Sequence, residues 1–310
     1  MSDWPSFVQT NLLKGLASEE INEVFVPIIS DVIVEVSGAD AAKLLQGQIT
    51  ADIDSMTVNN FSLGALCTNK GRIVAIFTIM RFSEGFYCRL SKQSAEPFIE
   101  TLKKYGVFYK VDIKLRADIG LVAAFSNNAL AGPLQETIQI KHSELLTEYW
   151  IKDNQWQDCI EALQDTLQAA DESLWQLNKI KHGWPDIATE TLETFLPHAL
   201  SLDLAEAISF TKGCYTGQEI IARTHYRGKS KKRLARLVLE SAPKQPFAPG
   251  SNIANSEGVN LGNLVTSAAY AESCELLASI SLDSPQQGTV VIEGQKLNYR
   301  LSALPWDEEL

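Results

Sequence analysis

The pattern of predicted secondary structure changes after Leu234, and this change constrains the fold more than any other feature of the sequence. Beyond it, the sequence predicts about six short strands in roughly 70 residues. Prolines and glycines that favour turns separate these strands, at positions 243, 246, 249, 250, 258, 285 and 288. Short strands with turns at this spacing are typical of a small β-barrel or β-sandwich.

The rest of the chain alternates between strand and helix patterns. β-Branched residues at 32–36 predict a strand, and Asp40 is placed to cap a helix that reaches Gln46. Further strands are predicted at 61–68, 72–82, 85–90, 107–115 and 119–125, and further helices at 94–105, 157–169 and 172–182. This order favours an α+β fold, in which helices cover one face of an antiparallel or mixed sheet.

Length and composition are those of a globular protein. The 310 residues predict two or three domains, and 45% hydrophobic with 21% charged residues is the range of a folded chain. No apolar run reaches the length of a membrane span, and the first residues lack a basic segment followed by an apolar one. We therefore expect a cytoplasmic protein without membrane contact.

The cysteines and histidines form no compact metal-binding pattern in the sequence. The five cysteines lie at 67, 88, 159, 214 and 274, without a Cys-x-x-Cys pair. This argues against a disulfide framework and against a self-contained zinc or iron–sulfur site, so any cluster would need ligands from another molecule. The four histidines, at 142, 182, 198 and 225, show no short metal-ligand spacing, and most of them are predicted to be ordinary surface or core residues.

One segment carries the most chemical information, Lys212-Gly213-Cys214-Tyr215-Thr216-Gly217-Gln218-Glu219. Its two glycines permit unusual turns or the close approach of another group. A helix is predicted to begin near Ile220, and basic residues lie on both sides of Cys214 in the sequence. The helix dipole and these charges favour a thiolate, which makes Cys214 the first candidate for chemistry. The alternative is that Cys214 is a small buried hydrophobic residue.

Basic residues are concentrated in one strip, from Arg223 to Arg236. The strip holds seven Lys or Arg and no acidic residue, in a chain whose net charge is −11. The overall negative charge opposes non-specific binding to nucleic acid, whereas the strip is suited to a polyanionic ligand or to RNA. The alternative is a solvated loop and strand edge.

The segment from Lys212 to Glu219 resembles the signature of the YgfZ family. These are folate-binding proteins connected with tRNA modification and iron–sulfur enzymes, and they are distant relatives of the glycine-cleavage T-protein. Other segments match this family in the same order, namely Gly38-Ala39-Asp40 with Leu45–Asp52, Asn69–Arg72, Leu102–Phe108 and Phe195–His198. The resemblance covers nearly the whole chain and is weakest between about 125 and 170.

The resemblance implies a three-domain ring around a central channel, with a C-terminal β-barrel. The implied domains are residues 1–115 together with 172–233, residues 116–171, and residues 234–310. In this family folate occupies the channel, and two tryptophans are associated with it. Trp175 matches the second of these positions, whereas Asp31 stands at the first. The alternative for Trp175 is an ordinary place in the core.

The carboxylate that the T-protein relatives use for aminomethyl transfer is not matched. It lies in their first hairpin, where this chain has Val74 or Ala75. A positioned general acid contributes about 10² to 10⁴ in rate. We therefore expect no conventional catalytic activity of that kind.

The resemblance predicts a folate-binding auxiliary protein that supports iron–sulfur enzymes, including those that thiolate tRNA. Cys214 is then a functional thiolate, either a transient cluster ligand or a redox-sensitive nucleophile. Arg223 and Arg227 would favour that thiolate or bind the glutamate tail of the folate, and Lys212 would add to the same field.

The remaining residues of the signature are predicted to shape its turn. These are Gly213, Tyr215, Gly217, Gln218 and Glu219. Glu219 is also expected to pair with an arginine of the basic strip.

Two other functions stay open at the level of the sequence. One is a folate-dependent one-carbon transferase of the aminomethyl type, with Cys214 as nucleophile, which would turn over its donor in isolation. The other is an RNA-binding module that uses residues 223–236, although the chain lacks the interleaved aromatic residues of an RNA-recognition motif. Direct contact with tRNA is also left open.

Overall fold

The structure is a computed structural model that describes residues 3–12, 23–127, 132–228, 230–270 and 273–307. Its α-helices in this part of the chain are α1 (Trp4–Asn11), α2 (Ala41–Gln48), α3 (Lys92–Gly106), α4 (Trp156–Gln164), α5 (Glu172–Lys181) and α6 (Gln218–Arg227). None of them combines the length and the apolar character that a membrane-spanning helix needs.

Strands make up most of the remaining regular structure. They are β1 (Val24–Ile28), β2 (Asp31–Ser37), β3 (Phe61–Cys67), β4 (Ile73–Phe82), β5 (Gly85–Ser91), β6 (Asp112–Leu115), β7 (Ile119–Phe125), β8 (Ile138–Lys141), β9 (Leu146–Lys152), β10 (Gln168–Ala169), β11 (Lys232–Leu239), β12 (Asn252–Asn255), β13 (Asn260–Tyr270), β14 (Ser273–Ser281), β15 (Gln287–Ile292) and β16 (Gln295–Ser302).

The chain divides into two compact units. The first consists of residues 1–33 and 115–176, and the second of residues 34–114 and 177–310. The finer division into three domains stays a prediction.

The first unit is built on a five-stranded sheet with the order β10-β1-β7-β9-β8. β1 runs parallel to β10, and the other neighbours are antiparallel. Trp4 of α1 and Trp156 of α4 meet in its core with ring centres 5.3 Å apart. Gly120 on β7 makes room for this contact, because a Cβ there would lie 2.4 Å from the Trp4 ring.

The second unit contains a five-stranded sheet and a closed barrel. The sheet has the order β3-β4-β5-β2-β6, and the barrel has the order β11-β14-β13-β12-β15-β16. Apolar residues of every barrel strand fill the barrel interior. The α+β class and the C-terminal barrel predicted from the sequence are therefore confirmed.

Two predicted elements are too long. The helix predicted over 157–169 ends at Gln164, because the next residues pair with β1: the amide of Gln168 donates to the carbonyl of Glu23, and the amide of Ala170 to that of Phe25. The strand predicted over 107–115 is limited to β6. The turn before β6 is held by the Asp40 carboxylate, which accepts from the Lys110 amide.

Candidate functional site

The signature segment from Lys212 to Glu219 is anchored to the C-terminal end of α2. The amide of Thr216 donates to the carbonyl of Gly47 over 3.1 Å, and its hydroxyl donates to Gln48 Oε1 over 2.9 Å. The amide of Gln218 donates to the carbonyl of Tyr215 and closes the turn that leads into α6. Backbone and side-chain bonds thus fix the loop before α6.

Gly217 is required where the signature meets the turn between β3 and β4. It has a φ of +84°, and a Cβ there would lie 2.6 Å from the carbonyl oxygen of Thr68. Gly71 in that turn has a φ of +68° and packs against Ile220. Two segments that match the family separately in sequence therefore contact each other through glycines that larger residues cannot replace without strain.

Lys212 points inward and holds the loop. Its Nζ donates to the carbonyl of Ile49 over 2.9 Å and to that of Ala51 over 2.6 Å, and it lies 5.2 Å from the centre of the Tyr215 ring. Burial disfavours the charged ammonium and lowers the pKa of Lys212 to about 8. The structure thus gives Lys212 a positioning task that the sequence did not predict.

Tyr215 also points inward, into the core of the second unit. Its ring packs in a cluster that includes Cys67 and Ile221, and burial raises its pKa. Its hydroxyl has no hydrogen-bond partner among the described residues. Lys212 and Tyr215 therefore act as two buried anchors on either side of Gly213 and Cys214.

Cys214 itself is exposed, and so is Gly213. A Cβ at Gly213 would meet nothing within 4 Å, so the segment between the two anchors faces open space. The alternative that Cys214 is a buried hydrophobic residue is wrong. The fold presents one thiol at the surface on a loop with fixed ends.

The charged residues around the signature are also exposed. Within the described residues, no hydrogen bond or ion pair is formed by the side chain of Arg223, Arg227 or Glu219. The expected pairing of Glu219 with an arginine of the strip is therefore not formed there. Arg223 and Arg227 stay available to an anionic ligand.

Cys214 is expected to be alkylated more than about tenfold faster than any other cysteine at neutral pH. The other four are buried, and burial raises the pKa of each thiol, to about 12 for Cys67 and about 11 for Cys159. Iodoacetamide labelling followed by peptide mass spectrometry measures the five rates. Equal or faster labelling of a buried cysteine in the folded protein would contradict this arrangement.

The basic strip is not a continuous cationic surface. Arg233 pairs with Asp203 over 2.5 Å, and Arg236 makes two bonds to Glu275 of 2.5 Å and 3.0 Å. Lys229 lies outside the described residues. Two of the cations are thus committed to partners within the second unit, which leaves fewer charges for an RNA phosphate backbone.

A cleft in the second unit is one candidate for a small-molecule site. Its free space is about 30 Å³, and its walls include Leu63, Ile76, Arg89, Lys179, Trp184 and Asp186. Lys179 is buried and forms an ion pair with Asp186. Arg89 donates to the Thr78 hydroxyl over 2.9 Å. The aromatic side chain of Trp184 and the charged side chains of Arg89, Lys179 and Asp186 therefore line the same cleft.

The sequence analysis did not identify Trp184 as a candidate site residue. In the structure it follows Gly183, which has a φ of +66°, and it is half-buried in the wall of the cleft. Trp175, which the resemblance assigns to folate, is fully buried in α5. Asp31, which stands at the other tryptophan position, is also buried. The folate contact of Trp175 stays a prediction.

The fold defines the structural class of the protein. The structure is similar to that of glycine cleavage system aminomethyltransferase T from Bartonella henselae, with a TM-score of 0.68 and 14% identity, over 91% of this chain and 85% of that chain. This likeness establishes a T-protein-like fold, as predicted.

Sequence relatives are more specific than the fold. The tRNA-modifying protein YgfZ of Aliivibrio fischeri strain MJ11 is 33% identical over 80% of this chain and 81% of its own length. The protein of the same name from Colwellia psychrerythraea is 31% identical over 87% and 91%. The chain belongs to the YgfZ family. No family model matches the sequence.

Proposed function

We propose that this protein is a folate-binding auxiliary protein that supports tRNA modification by sustaining iron–sulfur enzymes. The observation that carries this proposal is the relationship, over most of the chain, to proteins named for tRNA modification. The signature segment supports it, because buried anchors at Lys212 and Tyr215 hold an exposed thiol at Cys214.

Cys214 is proposed to act on a client enzyme, and this chain alone is not proposed to hold a complete iron–sulfur site. Thiolates are preferred ligands of iron in clusters. The other four cysteines are buried, so this chain offers one accessible thiol, and further ligands would come from the client enzyme. A cluster is then a transient cargo shared with that enzyme, or else Cys214 protects the client by redox chemistry.

The cleft lined by Trp184 is proposed to bind the pterin of a folate. The free space in the cleft is about 30 Å³, well below the volume of a pterin, so binding requires the side chains of its walls to move apart. The Trp184 indole offers a face on which a flat pterin can stack. The carboxylate of Asp186 suits the adjacent N–H groups of the pterin edge, and exposed Arg223 and Arg227 suit the glutamate tail.

Two observations favour this function over the alternatives. Val74 and Ala75 are buried apolar residues of β4, so the position of the T-protein carboxylate offers no acid for one-carbon transfer. The ion pairs of Arg233 and Arg236 reduce the cationic surface that an RNA-binding module would use. Client enzymes, including those that thiolate tRNA, are therefore the proposed partners.

Trp184→Ala is expected to weaken tetrahydrofolate binding by about 1–3 kcal/mol, because stacking and apolar burial are both lost. Titration calorimetry of the purified protein measures the change. Tyr226→Ala is the matched control, since Tyr226 is an exposed aromatic residue of α6 that does not line the cleft. Equal affinities of the Trp184 variant and the wild type would exclude the cleft as the folate site.

The cellular role is tested by complementation. In bacterial cells that lack their own family member, this chain should restore the tRNA nucleosides that iron–sulfur enzymes modify. Mass spectrometry of digested tRNA quantifies these nucleosides. Folded, expressed protein that restores none of them would contradict the proposed role.

A further inference from the structure

A buried histidine outside the signature has no hydrogen-bond partner. His198 lies in a short 3₁₀ helix, Pro197–Leu200, and is 2% exposed. Neither Nδ1 nor Nε2 of its ring is hydrogen-bonded among the described residues. Buried polar side-chain atoms nearly always have a partner, and an unpaired one calls for an explanation such as a bound ion.

Two further metal-ligating side chains converge on this ring. They are Asp203, in the turn that follows the 3₁₀ helix, and His225, in the last turn of α6. One ligand atom of each residue lies within 4.8 Å of the others, and His198 Nε2 is 3.9 Å from Asp203 Oδ2. This distance is too long for a hydrogen bond. It is suited to two ligand atoms that both bind an ion lying between them.

Neighbouring residues orient the cluster. Arg233 donates to Asp203 Oδ1 over 2.5 Å and to the His198 carbonyl over 3.2 Å, which leaves Oδ2 on the side of the His198 ring. Phe210 stacks on the His225 ring with a centre-to-centre distance of 3.8 Å and an angle of 17°. Partners of this kind around the ligands fix their orientation, as they do in metalloproteins.

We propose that His198, Asp203 and His225 bind a divalent first-row transition-metal ion of the zinc or ferrous type. Two imidazoles and one carboxylate are a ligand set for these ions that leaves coordination positions open. Metal–ligand bonds of about 2.0–2.2 Å bring ligand atoms to roughly 3.3 Å from one another. Closure to this distance requires a shift of the exposed His225 ring along the face of Phe210.

This site goes beyond the proposed folate and thiol functions and does not depend on them. Its ligands are nitrogen and oxygen, and Cys214 is not among the residues of the cluster. The histidines are 27 positions apart in the sequence, His198 and His225, so their spacing gave no metal signal. The fold brings them together by packing the end of α6 near the 3₁₀ helix.

The test uses the full-length, metal-free protein with Zn²⁺ in calorimetry and Co²⁺ in absorption spectroscopy. We expect one equivalent to bind, with visible Co²⁺ bands and no thiolate-to-cobalt charge-transfer band in the near ultraviolet. His225→Gln should lower the affinity by about 100-fold or more, because one of three ligands is lost. His182→Gln is the matched control, since His182 is a half-buried histidine of the same unit outside the cluster.

Several results would overturn the proposal. They are the absence of stoichiometric binding, a thiolate band in the Co²⁺ spectrum, and equal affinities of the His225→Gln protein and the wild type. Because His225 is exposed, its variant should stay folded, which circular dichroism checks. A His198→Gln protein gives a second reading if it folds, with the same expected loss of Zn²⁺ affinity.

Discussion

A Cys214→Ser protein is expected to fold and to bind folate like the wild type, yet to restore none of the modified tRNA nucleosides in cells that lack their own family member. The side chain is exposed, so the change from sulfur to the smaller oxygen removes no packing from the core. It does remove the thiolate, and a serine hydroxyl neither binds iron as a thiolate does nor enters redox chemistry.

The control for this experiment is Cys274→Ala, which removes a thiol from the core of the barrel and leaves the signature intact. Both proteins are compared with the wild type for expression, unfolding midpoint and nucleoside content. Full restoration of the modified nucleosides by the Cys214→Ser protein would contradict the proposed function of the thiol. The signature would then serve only to shape a turn.

Trp175→Ala is expected to lower the free energy of unfolding by about 3–5 kcal/mol, the range for a large aromatic residue removed from a core. The indole of Trp175 is fully buried, and the substitution leaves a cavity that close-packed neighbours fill only in part. Urea unfolding followed by circular dichroism measures the change. Tyr226→Ala, at an exposed aromatic residue, should cost far less.

The same variant separates the two roles that the sequence leaves open for Trp175. A structural role predicts the large loss of stability with little change in the folate affinity of the protein that remains folded. A direct folate contact predicts the opposite, a small loss of stability and an affinity weaker by about 1–3 kcal/mol. The second result would show that Trp175 contacts folate and would contradict a purely structural role.

Local patterns in the sequence were sufficient for much of the fold. The alternation and turn residues after Leu234 predicted a small β-barrel or β-sandwich, because each short strand shows its own alternation and is followed by its own turn residues. The structure forms the barrel. The helix predicted over 157–169 failed because pairing of Gln168 and Ala170 with β1 outweighs helix propensity, and a pairing partner more than 140 positions away leaves no local signal.

The candidate site was predictable only in part for the same reason. Cys214 was identified from its neighbours, and its exposure agrees with a functional thiol. The inward direction of Lys212 depends on the carbonyls of Ile49 and Ala51, which are remote in sequence. The cluster of His198 and His225 likewise exists only once α6 packs near the 3₁₀ helix. Contacts of this kind follow from tertiary structure and not from spacing.

The central claim is that this protein binds folate, and calorimetric titration of the purified wild type with tetrahydrofolate tests it most directly. Indole fluorescence recorded in parallel reports on stacking, because Trp184 lines the proposed cleft. The account predicts saturable heat at one site per chain, together with quenching that Trp184→Ala removes. Neither heat nor quenching with folate or tetrahydrofolate would contradict it.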